Sequence, residues 1–442
     1  MWEGLLATPY IVVSIPGGFI IAALLTQWFG MEKSRFGWIV SLPSWSNALQ
    51  VVLLPAVARL MSSKDLALGM GWFNAGLWAM LVAVLGFLPR NNDAGTAWFF
   101  VVFFTLASVS AAFVTVGWTT WFRDWVPGKV RSPFIGKRNS WISALTLAFL
   151  GFIMLLFATN QGSLRPYVWG IGVGVAFRCL SLLWQHSIRT IHDAAPLSSP
   201  GLLASLRACH ATPGLLLFIG FSAWMSFWMS FTGPFGAVFC FEELHFAPGT
   251  FAILTTVASV AGVFGWAYWG RVSDRAGVIP VIVIGSILWE SSNFLWAVLS
   301  PTNSWLLYPM FLWGGFFSVA FFLGSFNLLL NLVPNKSSLA AISIHVSATA
   351  AASALAPILA GYLLEEFVVR RGGGIAIYHI GFAIKSTAFL LGLLLLTGIR
   401  EPGRTSQATL PGAFRSLRQS LAAQGPEFFS NLTPTRFWRR KK

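Results

Sequence analysis

Four ionisable side chains lie in the middle of long apolar segments of this chain. They are Arg178, Glu290, His345 and Lys385. A charge held at the centre of a lipid bilayer costs about 3 kcal/mol on insertion scales, so a residue of this kind needs a partner or a function. Acids and bases in such places form ion pairs, relay protons or bind ions of opposite charge.

Glu290 and Lys385 carry opposite charges and are predicted to meet. Glu290 lies about 12 residues from one end of its apolar segment, and Lys385 about 10 residues from the opposite end of another, so at 1.5 Å per residue they are about 18 and 15 Å deep. In a hydrocarbon core of about 30 Å the two positions differ by only a few ångströms. We predict a structural ion pair, with a proton relay as the alternative.

Arg178 and His345 have less obvious partners. The acids in the first half of the chain all lie near the ends of apolar segments, so none of them neutralises Arg178 at mid-depth. We expect Arg178 to bond to carbonyl oxygens and to polar side chains such as Asn74, with an anion site facing a cavity as the alternative. We expect His345 to be a hydrogen-bonded interface residue, with proton coupling as the alternative because imidazole titrates near neutral pH.

Membrane-spanning helices are the elements that would position these residues. The chain is 56% hydrophobic and 10% charged, whereas about a quarter of a soluble domain is charged. Its apolar runs reach the roughly 20 residues that cross a bilayer. We predict an all-α integral membrane protein with twelve transmembrane helices, at residues 5–28, 35–59, 66–88, 95–121, 136–158, 166–188, 213–240, 249–269, 278–299, 304–333, 338–364 and 375–398.

The basic residues predict the orientation of these spans. With both termini in the cytoplasm, 21 of the 29 lysines and arginines fall on the cytoplasmic side and six on the other side. Such an asymmetry is typical of multi-pass proteins of the cell (inner or plasma) membrane. The net charge of +15 therefore indicates topology and contact with lipid, including anionic lipid at the basic tail, and no nucleic acid partner is predicted.

A polar stretch at the middle of the chain divides the spans into two sets of six. We predict an N-terminal bundle at 1–190, a cytoplasmic linker at 191–212, a C-terminal bundle at 213–400 and a basic tail at 401–442. Equal span numbers on both sides of a linker indicate a duplication that gives two pseudo-symmetric bundles.

A glycine-bounded octet, residues 270–277, joins spans eight and nine. Its characteristic residues are Gly270, Arg271, Asp274, Arg275 and Gly277. Glycine lets the chain turn, aspartate accepts from the N–H groups of a helix start, and arginine holds the turn in the cytoplasm. We therefore predict a short loop between two packed helices.

The octet matches the Gly-x-x-x-Asp-Arg-x-Gly signature of the major facilitator superfamily (MFS), which the chain resembles in layout over about residues 1–400. It departs from the usual pattern after Gly277, where Val278, Ile279 and Pro280 stand and the two basic residues that commonly follow are absent. The equivalent loop between spans two and three is degenerate, with Ala58 and Met61 replacing the acid and the glycine. The resemblance implies a transporter that alternates between inward-open and outward-open states.

The same resemblance assigns positions to the spans. Spans one, four, seven and ten would line a central cavity, and spans two, five, eight and eleven would form the interface between the halves. Asp274 and Arg275 would hold the inner gate, so replacing Asp274 with asparagine is expected to reduce flux and spare binding. The substrate-cavity candidates on the predicted cavity spans are Thr115, Trp118, Thr119, Trp224, Trp228 and Asn327.

Aromatic faces interleaved with hydroxyls and amides suit a sugar-like solute or a small heteroaromatic one. The alternative is proton-coupled efflux of drugs or organic anions, which is less favoured because span five lacks a Gly-Pro pair. Two other classes stay open. One is a non-transporting sensor, and the other is a membrane-embedded lipid or glycan enzyme that uses His186, His192 and Asp193, or Glu242, Glu243 and His245.

Other chemistry is not indicated by the sequence. No phosphate-binding loop with the spacing of an ATPase is present. The cysteines, Cys179, Cys209 and Cys240, are few and scattered, which predicts neither disulfides nor a metal site. We therefore predict a transporter without enzyme activity, cofactor or metal, whose partners are a small-molecule solute, the bilayer and, in the coupled case, protons.

Overall fold

The computed structural model describes residues 2–57, 61–90, 93–125, 128–160, 162–188, 210, 214–333 and 338–399. The predicted tail and, apart from His210, the predicted linker lie outside these residues, and so do Ala58 and the side chains of Asp274 and Arg275. Within the described part, the chain forms helices joined by short turns and contains no strand.

In the described part, the first half of the chain contains six helices, which we number by the spans that they form. They are α1 (Trp2–Ser14, resuming as Phe19–Ala22 and a π-helix, Ala23–Trp28), α2 (Lys33–Val57), α3 (Ser63–Val84), α4 (Ala94–Trp125), α5 (Gly128–Thr159) and α6 (Arg165–His186).

The second half contains the other six. They are α7 (Leu215–Glu242), α8 (Pro248–Ala276), α9 (Val278–Asn293, continued by a 3-10 turn, Phe294–Val298), α10 (Leu307–Leu332, preceded by a 3-10 turn, Ser304–Leu306), α11 (Ser338–Leu364, continued by a π-helix, Glu365–Arg370) and α12 (Gly374–Gly392, continued by a 3-10 turn, Leu393–Gly398). Eleven of the helices in the described part are long and apolar enough to cross a membrane, and α2 completes the predicted set of twelve by its position.

Two helices differ from the predicted spans. The helix that contains span five, predicted at 136–158, begins earlier, at Gly128. Polarity ended the predicted span at residue 136, but lysine and arginine are good helix formers, so the helix continues beyond the apolar stretch. The first span is broken after Ser14, because Pro16 has no N–H to donate, and it resumes at Phe19.

The helices pack as two bundles that touch along two lines. In the first bundle α1 packs on α5 and α6, α3 on α4 and α6, and α2 on α4. In the second bundle α7 packs on α11 and α12, and α10 packs on α8 and α9. The main contacts between the bundles are α2 with α11 and α5 with α8, as expected for spans two, five, eight and eleven.

The two ends of this assembly differ. We call the end where α1 begins and α12 ends the terminal end, and the opposite end the distal end. At the distal end α2 crosses α11 so closely that a Cβ on Gly37 would overlap the carbonyl oxygen of Pro357, and a Cβ on Gly361 would overlap that of Lys33. Only glycine permits this approach of two helix backbones.

The buried apolar clusters follow the same division. The largest cluster crosses both bundles at the distal end, where Phe36 lies edge-on to Phe235 at 5.6 Å and Phe19 lies 5.8 Å from Phe251. A second cluster, which includes Leu215 on α7 and Leu396 after α12, belongs to the second bundle alone. Apolar packing therefore holds the halves together distally.

Candidate substrate cavity

A cavity of about 500 Å³ lies within the first bundle and is lined by residues of all six of its helices. Its wall runs from Pro16, at the break in α1, to Glu3 and Gln185 near the terminal end. The polar and aromatic side chains on this wall are Glu3, Tyr10, Ser14, Asn47, Asn74, Trp78, Phe104, Ser108, Thr115, Trp118, Arg138, Arg178 and Gln185.

Glu3 is the acid of this wall, and it is paired. The first turn of α1 places it against α5, where Arg138 Nε lies 3.1 Å from Glu3 Oε1. Glu3 is 2% exposed. On α6 the Ser181 hydroxyl donates to the Glu3 carbonyl oxygen at 2.6 Å, and Gln185 Nε2 donates to that hydroxyl at 3.1 Å. The carboxylate itself is compensated by Arg138, whose second contact is from Nη2 to Glu3 Oε2 at 3.4 Å.

Asn74 connects α1, α3 and α4 at mid-depth. The Tyr10 hydroxyl donates to Asn74 Oδ1, and Asn74 Nδ2 donates to the Ala107 carbonyl at 2.9 Å and to Ser110 Oγ at 2.7 Å. Both Asn74 and Tyr10 are buried. The oxygen and the amide nitrogen of Asn74 are thus both engaged in the packing of the bundle.

Arg178 lies on the cavity wall and is 7% exposed. Its guanidinium carbon lies 5.7 Å from the ring centre of Tyr10, and its Nε is buried without a hydrogen-bond partner among the described residues. The prediction that Arg178 bonds to Asn74 is therefore wrong, because Asn74 already bonds to Tyr10, Ala107 and Ser110. The resemblance places span six in neither the cavity set nor the interface set, which argues against a cavity-facing arginine there. In the structure, however, α6 packs directly on α1 and α3 and so reaches the wall.

The predicted face of α4 lies partly on this wall. Thr115 and Trp118 line the cavity, and Thr119 is exposed one turn beyond Thr115. The Thr115 and Thr119 hydroxyls donate to backbone carbonyls of α4, at 2.9 and 2.6 Å, so they offer acceptor lone pairs to a ligand. The Trp118 ring lies 5.1 Å from the guanidinium carbon of Arg138.

A smaller recess of about 330 Å³ lies in the second bundle between α7, α10 and α11. Its hydroxyl-bearing residues include Ser222, Ser226 and Ser325. His345 also lines it, stacked on Phe218 with ring centres 5.5 Å apart. Neither ring nitrogen of His345 bonds to a described residue, so the expectation of a hydrogen-bonded interface histidine is wrong.

Trp224, Trp228 and Asn327 are not among the residues that line this recess. Each stands two positions from a residue that does line it, which is about 200° around an α-helix. Trp224 donates instead to the Ala388 carbonyl of α12 at 2.7 Å. Trp228 borders an apolar groove of about 590 Å³ between α7, α11 and α12.

The predicted ion pair between Glu290 and Lys385 is confirmed. Lys385 Nζ on α12 lies 2.6 Å from Glu290 Oε1 on α9, and both side chains are buried. Asn293 Nδ2, one turn after Glu290, donates to the same oxygen at 2.9 Å. Lys385 borders a cavity of about 230 Å³, which is less than half the volume of the cavity in the first bundle.

A cluster of charge at the distal end connects the two bundles. Lys33 Nζ at the start of α2 lies 2.9 Å from Glu242 Oε2 at the end of α7, and the Lys33 amide donates to Glu365 Oε2 at 2.8 Å. The Tyr378 hydroxyl donates to Glu242 at 3.2 Å. Sequence reasoning placed Glu242 in a possible enzyme site and missed this role. The sequence feature that could have indicated this role is the presence of basic and acidic residues at span ends on the same side of the membrane.

The octet at residues 270–277 is the last two turns of α8 rather than a loop. The helix continues through Ala276, and Gly277 alone turns the chain, with φ of 100° between α8 and α9. The Gly277 amide donates to the Ser273 carbonyl at 3.1 Å. Arg271 lies within the helix, and the side chains of Asp274 and Arg275 fall outside the part that the structure describes.

Comparisons with known proteins identify the family to which this fold belongs. The family model for the Major Facilitator Superfamily matches residues 216–439. No curated protein matches the sequence.

Solved structures similar to this chain include the nucleoside transporter NupG (TM-score 0.66, 15% identity, covering 89% of this chain and 96% of that one). Also similar is the inward-open xylose transporter XylE from E. coli (TM-score 0.64, 15% identity, 94% and 97%). A third is a bacterial homologue of the human lysosomal transporter Spinster in an inward-facing conformation (TM-score 0.61, 13% identity, 95% and 96%).

At such identities these likenesses show the fold alone. The family model covers half of the chain, and the twelve helices pack in the arrangement expected of that family. The chain therefore belongs to the major facilitator superfamily, whose members move small solutes across membranes by alternating access.

Proposed function

We propose that this protein carries a small, hydroxylated organic solute, sugar-like or nucleoside-like, through the cavity of the first bundle. The observation that carries the proposal is the cavity itself, which combines a volume of about 500 Å³ with aromatic, amide and hydroxyl side chains. Pockets of roughly 300–1,000 Å³ are the ones that hold small molecules.

The wall chemistry supports this class of solute. The rings of Trp118 and Tyr10 offer apolar faces on which a sugar ring or a base can stack. The amides of Asn47 and Gln185 and the hydroxyl of Thr115 offer hydrogen bonds to hydroxyl groups. A nucleoside transporter and a xylose transporter among the structures of similar fold agree with the proposal.

The conformation fits one state of the transport cycle. At the distal end the halves are joined by the aromatic cluster and by the Lys33–Glu242 pair. The excess of basic residues supports placing the terminal end, with both termini, in the cytoplasm. With that orientation the distal closure is on the outer side of the membrane, and the structure corresponds to an inward-facing state.

The end of α8 is proposed to act at the cytoplasmic gate. Gly270, Arg271, Asp274, Arg275 and Gly277 lie there, at the tight turn into α9. Asp274→Asn is expected to lower flux and leave solute affinity unchanged. Flux equal to that of the unmodified protein would contradict a gating role.

Coupling and membrane contacts are part of the same proposal. Protons are the candidate coupling ion, and His345 in the second recess is the titratable group that invites the test. The basic residues of 401–442 are proposed to contact anionic lipid at the cytoplasmic surface. Solute uptake with and without an imposed pH gradient, in vesicles with and without anionic lipid, tests both points.

Counterflow in proteoliposomes tests the transport proposal directly. Protein reconstituted without ATP should exchange labelled sugar or nucleoside for the same unlabelled solute trapped inside. Protein-free vesicles and vesicles with heat-denatured protein serve as controls. Absence of exchange across a panel of pentoses, hexoses and nucleosides, charged and neutral, with folded protein would overturn the proposal.

A further inference from the structure

Arg178 carries a charge that forms no ion pair with an acid among the described residues. Among the described residues that line the cavity, two are arginines and one is an acid. That acid, Glu3, forms its ion pair with Arg138. The pair leaves the cavity wall with one positive charge, on Arg178.

The neutral groups around Arg178 are occupied. Asn74, on the adjacent α3, binds Tyr10, Ala107 and Ser110. Tyr10 presents its ring to the guanidinium at 5.7 Å, which offers a weak cation–π contact. Arg178 Nε has no hydrogen-bond partner in the described chain. A buried guanidinium in this condition is costly until a ligand supplies the missing acceptors.

The second bundle shows what compensation looks like in the same fold. Lys385 lies on α12, the counterpart of α6, and an acid lies 2.6 Å from its ammonium group. Trp289 and Phe389 add ring contacts at 5.6 and 5.3 Å. Arg178 has an aromatic contact of the same kind, but no acid pairs with it within the described residues.

We propose that a carboxylate or phosphate group of the solute binds Arg178, so that the transported substrate is a small organic anion. This inference rests on the proposed transport function and specifies its substrate class. Guanidinium binds both anions through two parallel hydrogen bonds, and the low dielectric around a buried site strengthens them. The uncharged part of the solute would then lie along Trp118 and Thr115, which α4 contributes to the same cavity.

Matched solutes test this proposal on the unmodified protein. The probes are glucose, glucuronate and glucose 6-phosphate, together with uridine and uridine 5′-monophosphate. Affinity is measured by thermal shift and by inhibition of counterflow. In at least one series the charged member should bind at least about tenfold more tightly than the neutral one. The member preferred, carboxylate or phosphate, identifies the anionic group.

Variants test whether Arg178 causes the preference for the charged solute. Arg178→Gln should abolish the preference for the charged solute, and Arg178→Lys should keep part of it, because an ammonium group retains the charge but not the paired donors. Arg165→Gln is the matched control, since Arg165 lies exposed at the distal start of the same helix and loses the same charge. It should bind the charged solute as the unmodified protein does.

Each outcome decides a separate point. Equal affinity for charged and neutral solutes in the unmodified protein would overturn the inference and leave the proposed function standing. A charge preference that survives in Arg178→Gln would overturn the assignment to Arg178. If that variant does not fold, the solute series and Arg178→Lys decide. Failure of every solute to bind or exchange would overturn the proposed function and this inference with it.

Discussion

The two halves of this transporter place a buried base at nearly the same depth of equivalent helices. Arg178 is the fourteenth residue of α6, and Lys385 is the twelfth of α12. The helices that face them also correspond, because Asn74 is the twelfth residue of α3 and Glu290 the thirteenth of α9. In one half the facing residue is an amide, and in the other half it is a carboxylate.

This difference between Asn74 and Glu290 gives the two buried bases different roles. In the second half Glu290 neutralises Lys385, and the pair stabilises the bundle. In the first half Asn74 binds Tyr10 and Ser110, and Arg178 is left on the wall of the cavity of about 500 Å³. The same scaffold position thus holds a closed ion pair in one half and a base available to a ligand in the other.

The largest effect is expected on thermal stability. Replacing Glu290 in the second half should lower it, whereas replacing Arg178 in the first half should not. Glu290→Gln leaves Lys385 buried without an acid, and breaking a buried pair costs about 3–5 kcal/mol. Arg178→Gln removes an unpaired charge, so stability should stay the same or rise. The thermal unfolding midpoint in detergent measures both changes.

The double variant Glu290→Gln, Lys385→Met is the control for this pair. Because an apolar replacement of both partners is often tolerated, it should recover most of the stability that the single change loses. If the Glu290→Gln protein is as stable as the unmodified one, Lys385 does not need an acidic partner, and the contrast between Lys385 and Arg178 is wrong.

Asn74→Asp is expected to make the first half resemble the second. The new carboxylate would face Arg178 and neutralise it, so affinity for a charged solute should fall by about 30-fold, which corresponds to about 2 kcal/mol. Ser110→Ala, which changes a neighbour of Asn74 without adding charge, is the control. Unchanged affinity for the charged solute, with folded protein, would show that Asn74 does not govern the charge of the site.

The next largest effect is expected from replacing one tryptophan in each half. Trp118→Ala removes a ring from the cavity wall and should weaken solute binding about tenfold, at about 1–1.5 kcal/mol for one aromatic contact. Trp224→Phe removes the hydrogen bond to the Ala388 carbonyl and part of the ring, both away from the cavity of the first bundle, and should leave solute affinity unchanged. Titration calorimetry or thermal shift compares the two. Equal losses would place Trp224 at the solute site after all.

The smallest effect is expected where the halves meet. Lys33→Gln breaks the distal pair with Glu242, in which the two side chains are 10% and 32% exposed; we take this pair to be worth about 1 kcal/mol, so the distal-open population should rise about fivefold. Labelling of Ser34→Cys, a nearly isosteric change at a buried position beside Gly361 in the α2–α11 contact, would report the opening, with Lys64→Gln at the terminal end as the control. A labelling rate that Lys33→Gln leaves unchanged would show that apolar packing alone closes the distal end.

Much of this molecule could be predicted from its sequence. The lengths of the apolar runs predict twelve helices, and the depths of Glu290 and Lys385 predict their pairing, because an unpaired charge in lipid is so costly that few arrangements are possible. The face of α4 with Thr115 and Trp118 follows from helical spacing once α4 is placed at the cavity.

The tertiary structure decided which side of each helix faces a cavity. Trp224 and Asn327 have the residue types of a binding site, yet Ser222 and Ser325 face the recess of the second bundle. For Arg178, chain order indicates an outer helix, and only the packing of α6 on α1 and α3 brings it to the wall. Periodicity determines which residues share a helix face, but the rotation of that helix is set by contacts with residues far away in sequence.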